Sequence, residues 1–328
     1  MRFTTLDGLR GLAAILVLFF HLGPHAPMAA PGGYLAVDLF FALSGFVISL
    51  AYDGRFRAGL SLWEFTRYRL IRVYPMAFLS ALFGAALSRD YFASLILIPD
   101  LSGGPTGMLF PMNVPLWSLL LEVVINVLYA FCAVRLRTAA LCFVILLSGG
   151  ILAVGMTRYP LAQIGIFWLT IGYGLARTVF SFSLGVTMQR IHTRYPVRRR
   201  VTRLAWLLPC LLVLLLTQPF SGSWLWNAVC LSVALPAILW LGTIWETPNT
   251  HLWHELGALS YPLYCIHGVA LLACQAAGGR AEYLWAPLIG VAWWLNRRID
   301  IPLRRKLTQL FTVDREKGGL SSLALKKA

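Results

Sequence analysis

Long apolar runs separated by short basic segments recur from one end of this 328-residue chain to the other, and they leave few ways to fold it. A single globular core buries only part of so much apolar surface, so the remainder needs a solvent that is itself apolar. The chain reads as a polytopic membrane protein. Inside hydrocarbon only helices and closed barrels satisfy the backbone, and these runs far exceed the alternating segments of a barrel strand. The predicted fold class is all-α: a membrane helical bundle of about ten transmembrane helices. The spans fall near Leu9–Leu22, Gly33–Tyr52, Pro75–Leu87, Pro115–Val134, Thr138–Met156, Leu161–Met188, Leu204–Leu216, Trp224–Trp245, Leu256–Ala276 and Tyr283–Asn296. The membrane domain is expected to fill residues 1–306, and 307–328 to form a polar, disordered cytoplasmic tail.

Charge sets the orientation. Charged residues are only 12% of the chain, yet the net charge is +15. In a soluble protein that excess would suggest nucleic acid; here the arginines sit between apolar runs, so retention of positive loops in the cytoplasm accounts for them and no nucleic-acid partner is expected. With both termini inside, Arg55 to Arg72, Arg135 and Arg137, Arg190 to Arg203 and Arg297 to Lys306 all face the cytoplasm, while His25 to Gly32 and Gln218 to Ser223 face outward with almost no charge. Two stretches fit less simply. Leu161–Met188 is long and carries Arg177 in its middle, so it reads as a broken helix or as a span preceded by a re-entrant piece; within 90–114, Leu95–Ile98 is apolar but too short to cross. The first thirty residues imitate a secretory signal, but its removal would break the agreement between parity and basic loops, so this segment is expected to stay as the first span. The six cysteines lack CxxC spacing, which indicates neither zinc nor a disulfide framework, and no metal site is expected.

Ionisable groups inside a span are costly and mark function. Arg10 and His21 lie eleven residues apart, on one helix face and separated by about 16 Å. Arg10 also reads as a snorkelling anchor and His21 as an interfacial residue. The second span carries Asp38 near its outer end, with Ser44 and Gly45 at mid-membrane. The fourth begins with Asn113, Pro115, Trp117 and Ser118 and carries Glu122, with Asn126 one turn further on the same side. His267 is the histidine placed mid-membrane in the ninth. By this topology His21, Asp38 and Glu122 fall in the outer half and His267 near the middle, so that four helices bring four ionisable groups toward one place. A histidine supported by carboxylates is a general-base arrangement. Cytoplasmic Arg67, Arg69 and Arg72 suit a polyphosphate, or simply hold their loop inside. Arg10 and His21 are expected to look into one shared, hydrated tunnel.

In this order, LDGLRGLAAILVLFFH (Leu6 to His21), GYLAVDLFFALSGFVIS (Gly33 to Ser49), RYRLIRVYP (Arg67 to Pro75), NVPLWSLLLE (Asn113 to Glu122), LGALSYPLYCIHG (Leu256 to Gly268) and IDIP (Ile299 to Pro302) resemble the acyltransferase-3 family of integral-membrane O-acyltransferases. The resemblance implies a multi-pass protein of the bacterial inner membrane. It implies His21 as catalytic base, with Glu122 or Asp38 orienting or charge-balancing it. It implies Arg10, Arg69 and Arg72 as contacts to a cytoplasmic acyl-CoA co-substrate such as acetyl-CoA, with no permanently bound cofactor. The acceptor is then a hydroxyl of a carbohydrate or glycan, met by Trp117, Ser118, Asn126 and His267. The chain departs from the family where Val123, Val124, Ile125 and Asn126 follow Glu122, and where Asp300 replaces a more usual Glu. It resembles the stand-alone members that lack an esterase-like domain. The competing class is a proton-coupled transporter or flippase of a lipid-linked glycan, with the same Asp, Glu and His as a relay.

Overall fold

The structure is a computed structural model, and it describes residues 3–87, 89–104, 106–133, 136–220, 222–248 and 250–311. Its helices are α1 (Thr4–Leu22), α2 (Ala36–Arg57), α3 (Leu62–Leu87), α4 (Leu116–Cys132), α5 (Thr138–Arg158), α6 (Ile171–Arg194), α7 (Leu207–Leu216), α8 (Trp224–Ile244), α9 (Thr250–Ala276) and α10, which begins as Trp285–Leu295. Seven of them are long and apolar enough to cross a membrane, and the chain is an all-α integral membrane bundle. α4 and α7 are shorter. At 1.5 Å per residue, the ten residues of α7 rise only about 15 Å, half the hydrocarbon thickness, and the turn Arg203–Trp206 lengthens it.

The direction of the helices alternates along the chain, as the parity of basic loops requires. At one end a two-residue parallel pair joins Arg200–Val201 to Trp245–Glu246, beside Thr4, whose hydroxyl donates to Glu246. At the other the Gly32 amide donates to the Leu216 carbonyl. The first end carries the arginines and is called the basic end below.

α1 lies mostly buried among the other helices. Leu6, Leu9, Ala13, Leu16, Val17 and Leu18 are all buried, which is the reverse of a snorkelling surface anchor. α9 lies along it, and the approach depends on missing side chains: a Cβ on Gly11 would overlap the Leu256 backbone, and one on Gly257 would overlap that of Asp7. Small residues give helices in lipid their close contacts, since burial from water supplies no drive there. α2 and α6 pair by the same means, with Gly185 against the Ala42 carbonyl. α5 shows lipid the exposed Phe143, Leu146, Leu147, Ile151 and Val154.

Several boundaries differ from the sequence reading. α3 begins at Leu62, so Arg67, Arg69 and Arg72 lie within a membrane helix and not in a connecting loop; Pro75, read as the start of the span, is buried inside the helix and tolerated because neighbouring helices pack around the turn it disturbs. α9 starts at Thr250, six residues before the predicted Leu256. Leu161–Met188 is not one span: residues 159–170 form irregular chain with two short 3₁₀ turns, and the helix starts at Ile171. Residues 89–104 form a 3₁₀ stretch, Arg89–Ile96, and then irregular chain, and 106–115 are irregular chain bridged at Met108 to Phe167. α10 passes through a π-turn, Asn296–Asp300, and stays helical to Phe311, five residues past the expected end of the membrane domain. The rest of the expected tail, from residue 312, lies outside the described residues, as do Val134 and Arg135.

Candidate functional site

Two stripes of polar residues face each other across the α1–α9 contact. On α1 they are Asp7, Arg10 and His21; on α9, Gly257, Ser260, Tyr261, Tyr264 and His267 recur at three- and four-residue steps. Arg10 is held between them: its Nε donates to Ser260 Oγ at 3.0 Å, its Nη2 to the Gly257 carbonyl at 3.0 Å, and Asp7 lies 3.6 Å away.

Beside Arg10 lies a cavity of about 430 Å³, walled by α1, α2, α3, α4 and α9. Arg69 and Arg72 enter it from α3 and Glu122 from α4. Glu122 Oε1 accepts from Arg69 Nη2 at 3.0 Å and from Ser44 Oγ at 3.1 Å, so this carboxylate neutralises the arginine and fixes its reach. Arg72 faces Asp300 and Arg304 electrostatically, and among the described residues no side chain holds it in a hydrogen bond. Asp300 itself is fully buried and pairs with Arg304. Val37, Phe40, Phe41, Leu43 and Val47 give the remaining wall an apolar lining.

The far end of the cavity is closed by an ordered contact. Ser118 Oγ donates to the Pro115 carbonyl at 3.0 Å, and since its only proton is used there, the Tyr264 hydroxyl donates to Ser118 at 2.7 Å. Phe40 packs on the Tyr264 ring at 5.5 Å between centroids. Behind Tyr264 comes His267 at 5.5 Å, then His21 at 4.9 Å. The cavity therefore reaches Arg10 but not His21: two aromatic contacts separate His21 from the space that holds the cations. The shared tunnel expected from the sequence is interrupted at Tyr264 in this conformation. His21, at the outer end of α1, is exposed. Its Nδ1 lies 2.9 Å from the Val17 carbonyl, which can only accept, so Nδ1 carries the proton and Nε2 keeps a lone pair. That tautomer is the one a general base needs.

The four ionisable groups do not converge. His21 and His267 meet; Glu122 lies with the arginines; Asp38 belongs to a third cluster. Arg177 Nε donates to both Asp38 oxygens at 3.0 and 3.1 Å, and Nη2 donates to Oδ2 at 2.6 Å. Ser181 also donates to Asp38, while the carbonyls of Leu161 and Tyr34 accept from Arg177. Both partners are almost wholly buried, at 2% and 1% exposure. The parity argument could not say which neighbour Asp38 would find. Trp117 packs under that guanidinium at 5.7 Å and is a wall of the ion-pair site. Asn126 is fully buried on α4, with neither amide atom hydrogen-bonded among the described residues.

Ser260, Tyr261 and Tyr264 are site residues that the sequence reading passed over. Their signal was present as the three- and four-residue spacing that leads to His267, hidden because tyrosine and serine resemble ordinary interfacial residues. Among the described residues no group of three or more His, Cys, Asp or Glu gathers as a metal site would require.

Comparison with known proteins follows the same lines. A family described as "Acyltransferase domain" matches residues 3–295, nearly the whole chain. A curated relative from Rhizobium radiobacter, "Protein 2 in picA locus", is 32% identical over 188 residues, covering 48% of this chain and 96% of its own. No solved structure matches.

Proposed function

The chain belongs to the acyltransferase family that its residues 3–295 match, and on that premise we propose that it transfers an acyl group from a cytoplasmic acyl-CoA-type thioester, such as acetyl-CoA, to a hydroxyl of a carbohydrate or glycan. The setting is the bacterial inner membrane. The observation that carries this reading is the cavity: three guanidiniums along one side, an apolar lining, and an inner end two ring contacts from a histidine in the base tautomer.

Arg72, which no side chain among the described residues holds in a hydrogen bond, takes a donor phosphate, because a guanidinium fork matches phosphate oxygens. Arg69 adds charge that Glu122 holds in place, and Arg10, fixed to α9, polarises the donor's inner part. The uncharged arm of the donor lies against Phe40, Phe41 and Val47. Tyr264 turns aside to admit the thioester toward His21. His21 Nε2 then takes the acceptor's proton as its oxygen attacks the thioester carbon; the thiolate leaves and recovers that proton from His21. Asp38, spent on Arg177, is a scaffold residue in this scheme. The transporter reading fits less well, since the carboxylates it would use as a relay, Asp38 and Glu122, are each paired with an arginine.

The test is acetyl-CoA consumption by the purified protein in lipid vesicles, with the acylated product followed by mass spectrometry. His21→Ala should abolish transfer with its melting temperature unchanged, since this exposed ring makes one backbone hydrogen bond. Arg72→Ala should raise KM for acetyl-CoA about tenfold with kcat kept, as loss of a uniform phosphate contact does. Transfer that persists within a few fold in His21→Ala would remove the histidine from the mechanism.

A further inference from the structure

One ring nitrogen beside the proposed base is left over. His267 Nδ1 lies 3.2 Å from the Leu263 carbonyl, so it too carries its proton there and Nε2 is a bare lone pair. That nitrogen is buried in a residue 1% exposed, and among the described residues nothing donates to it. Its neighbour His21 has the same tautomer for the same reason, and the two rings meet at 4.9 Å between centroids with 63° between planes. Two adjacent imidazoles therefore offer two acceptors and no donor.

The Tyr264 hydroxyl, whose ring touches His267, is committed to Ser118. A ligand that satisfies both nitrogens brings two O–H or N–H protons, and a diol carries two such protons on neighbouring oxygens. Hydroxyl hydrogen bonds of about 2.7–2.8 Å allow adjacent hydroxyls of one molecule to reach two rings in contact.

We infer that the acceptor presents a vicinal diol: one hydroxyl gives its proton to His21 Nε2 while its neighbour donates a hydrogen bond to His267 Nε2. His267 thereby selects diols and decides which oxygen is acylated. This rests on the transfer reading above and deepens it. In the step, the O–H bond of the attacked hydroxyl breaks and a C–O bond forms to the thioester carbon. The C–S bond breaks, and the thiolate takes the proton back from His21. The second hydroxyl keeps its proton throughout. A site that hydrogen-bonds a hydroxyl rejects an analogue lacking it, because its own polar atom is then left unpaired.

The experiment uses the full chain in phosphatidylethanolamine and phosphatidylglycerol vesicles, acetyl-CoA as donor, and three probe acceptors: cis-1,2-cyclohexanediol, cyclohexanol and cis-2-methoxycyclohexanol. The parent protein should favour the diol by about tenfold in kcat/KM over both others. In His267→Phe that ratio should collapse to within about twofold, and His267→Gln, whose amide oxygen still accepts, should recover part of it. A readout independent of turnover is the nitrogen NMR spectrum of histidine-labelled protein. His267 should show an unprotonated Nε2 whose resonance moves on adding the diol without donor. Equal rates for the three acceptors, a preference that survives His267→Phe, or a proton found on Nε2 would overturn the role of His267 while leaving transfer intact; equal rates would mean that a water fills the position. Failure of all three acceptors to be acetylated would overturn the transfer reading itself.

Discussion

Replacing Asp38 by Asn separates a structural carboxylate from a catalytic one. The substitution keeps the shape and one acceptor oxygen but removes the charge that faces Arg177. In the parent, three guanidinium–carboxylate contacts of 2.6–3.1 Å join the pair, and Ser181 adds a fourth bond to Asp38. Arg177 is 1% exposed and cannot turn to water, and its remaining N–H groups are already given to the carbonyls of Leu161, Ile164 and Tyr34. Removing one partner of such a pair leaves a buried charge uncompensated, at a cost of roughly 3–5 kcal/mol. On the usual size scaling that lowers the melting temperature by roughly 10 °C. The double substitution Asp38→Leu with Arg177→Met removes both charges together and should return most of that loss, because an apolar pair of similar volume replaces a fully desolvated one. The assay is thermal unfolding in detergent, followed by tryptophan fluorescence, alongside transfer at a temperature where each variant remains folded. Activity should follow the folded fraction. An Asp38→Asn protein with the parental melting temperature and no turnover would refute the reasoning and return Asp38 to the chemistry.

Other outcomes follow from single contacts. Gly185→Leu should abolish accumulation of folded protein in membranes, since even its Cβ would overlap the Ala42 carbonyl and separate α2 from α6; folded yield by size exclusion checks this. Asn126→Leu should melt at or above the parental temperature, because replacing a buried amide with no partner by an apolar group removes a desolvation penalty of about 1–3 kcal/mol. Tyr264→Ala should join the cavity to the histidine pair and let water reach the thioester, raising acetyl-CoA hydrolysis relative to transfer. An unchanged ratio of free thiol to acylated product would contradict the closure assigned to Tyr264.

Periodicity and charge alone determined the architecture here. Apolar runs too extensive for one core forced helices into lipid, and the alternation of basic with uncharged loops fixed their directions, both because the bilayer penalises exposed backbone and buried charge so steeply. The eleven-residue step from Arg10 to His21 put them on one face of α1 before any tertiary contact was known. Partnership was decided only in three dimensions. Asp38, Glu122 and His267 were expected to converge but each found its own neighbour: α6 brought Arg177 to the first, α3 brought Arg69 to the second, and the glycine-mediated approach of α9 to α1 brought His21 to the third. Sequence spacing measures position along a helix axis. Which face of which helix lies across the gap depends on packing among all of them, and that is why Arg69 and Arg72, read as part of a basic connection, became part of the wall of a cavity.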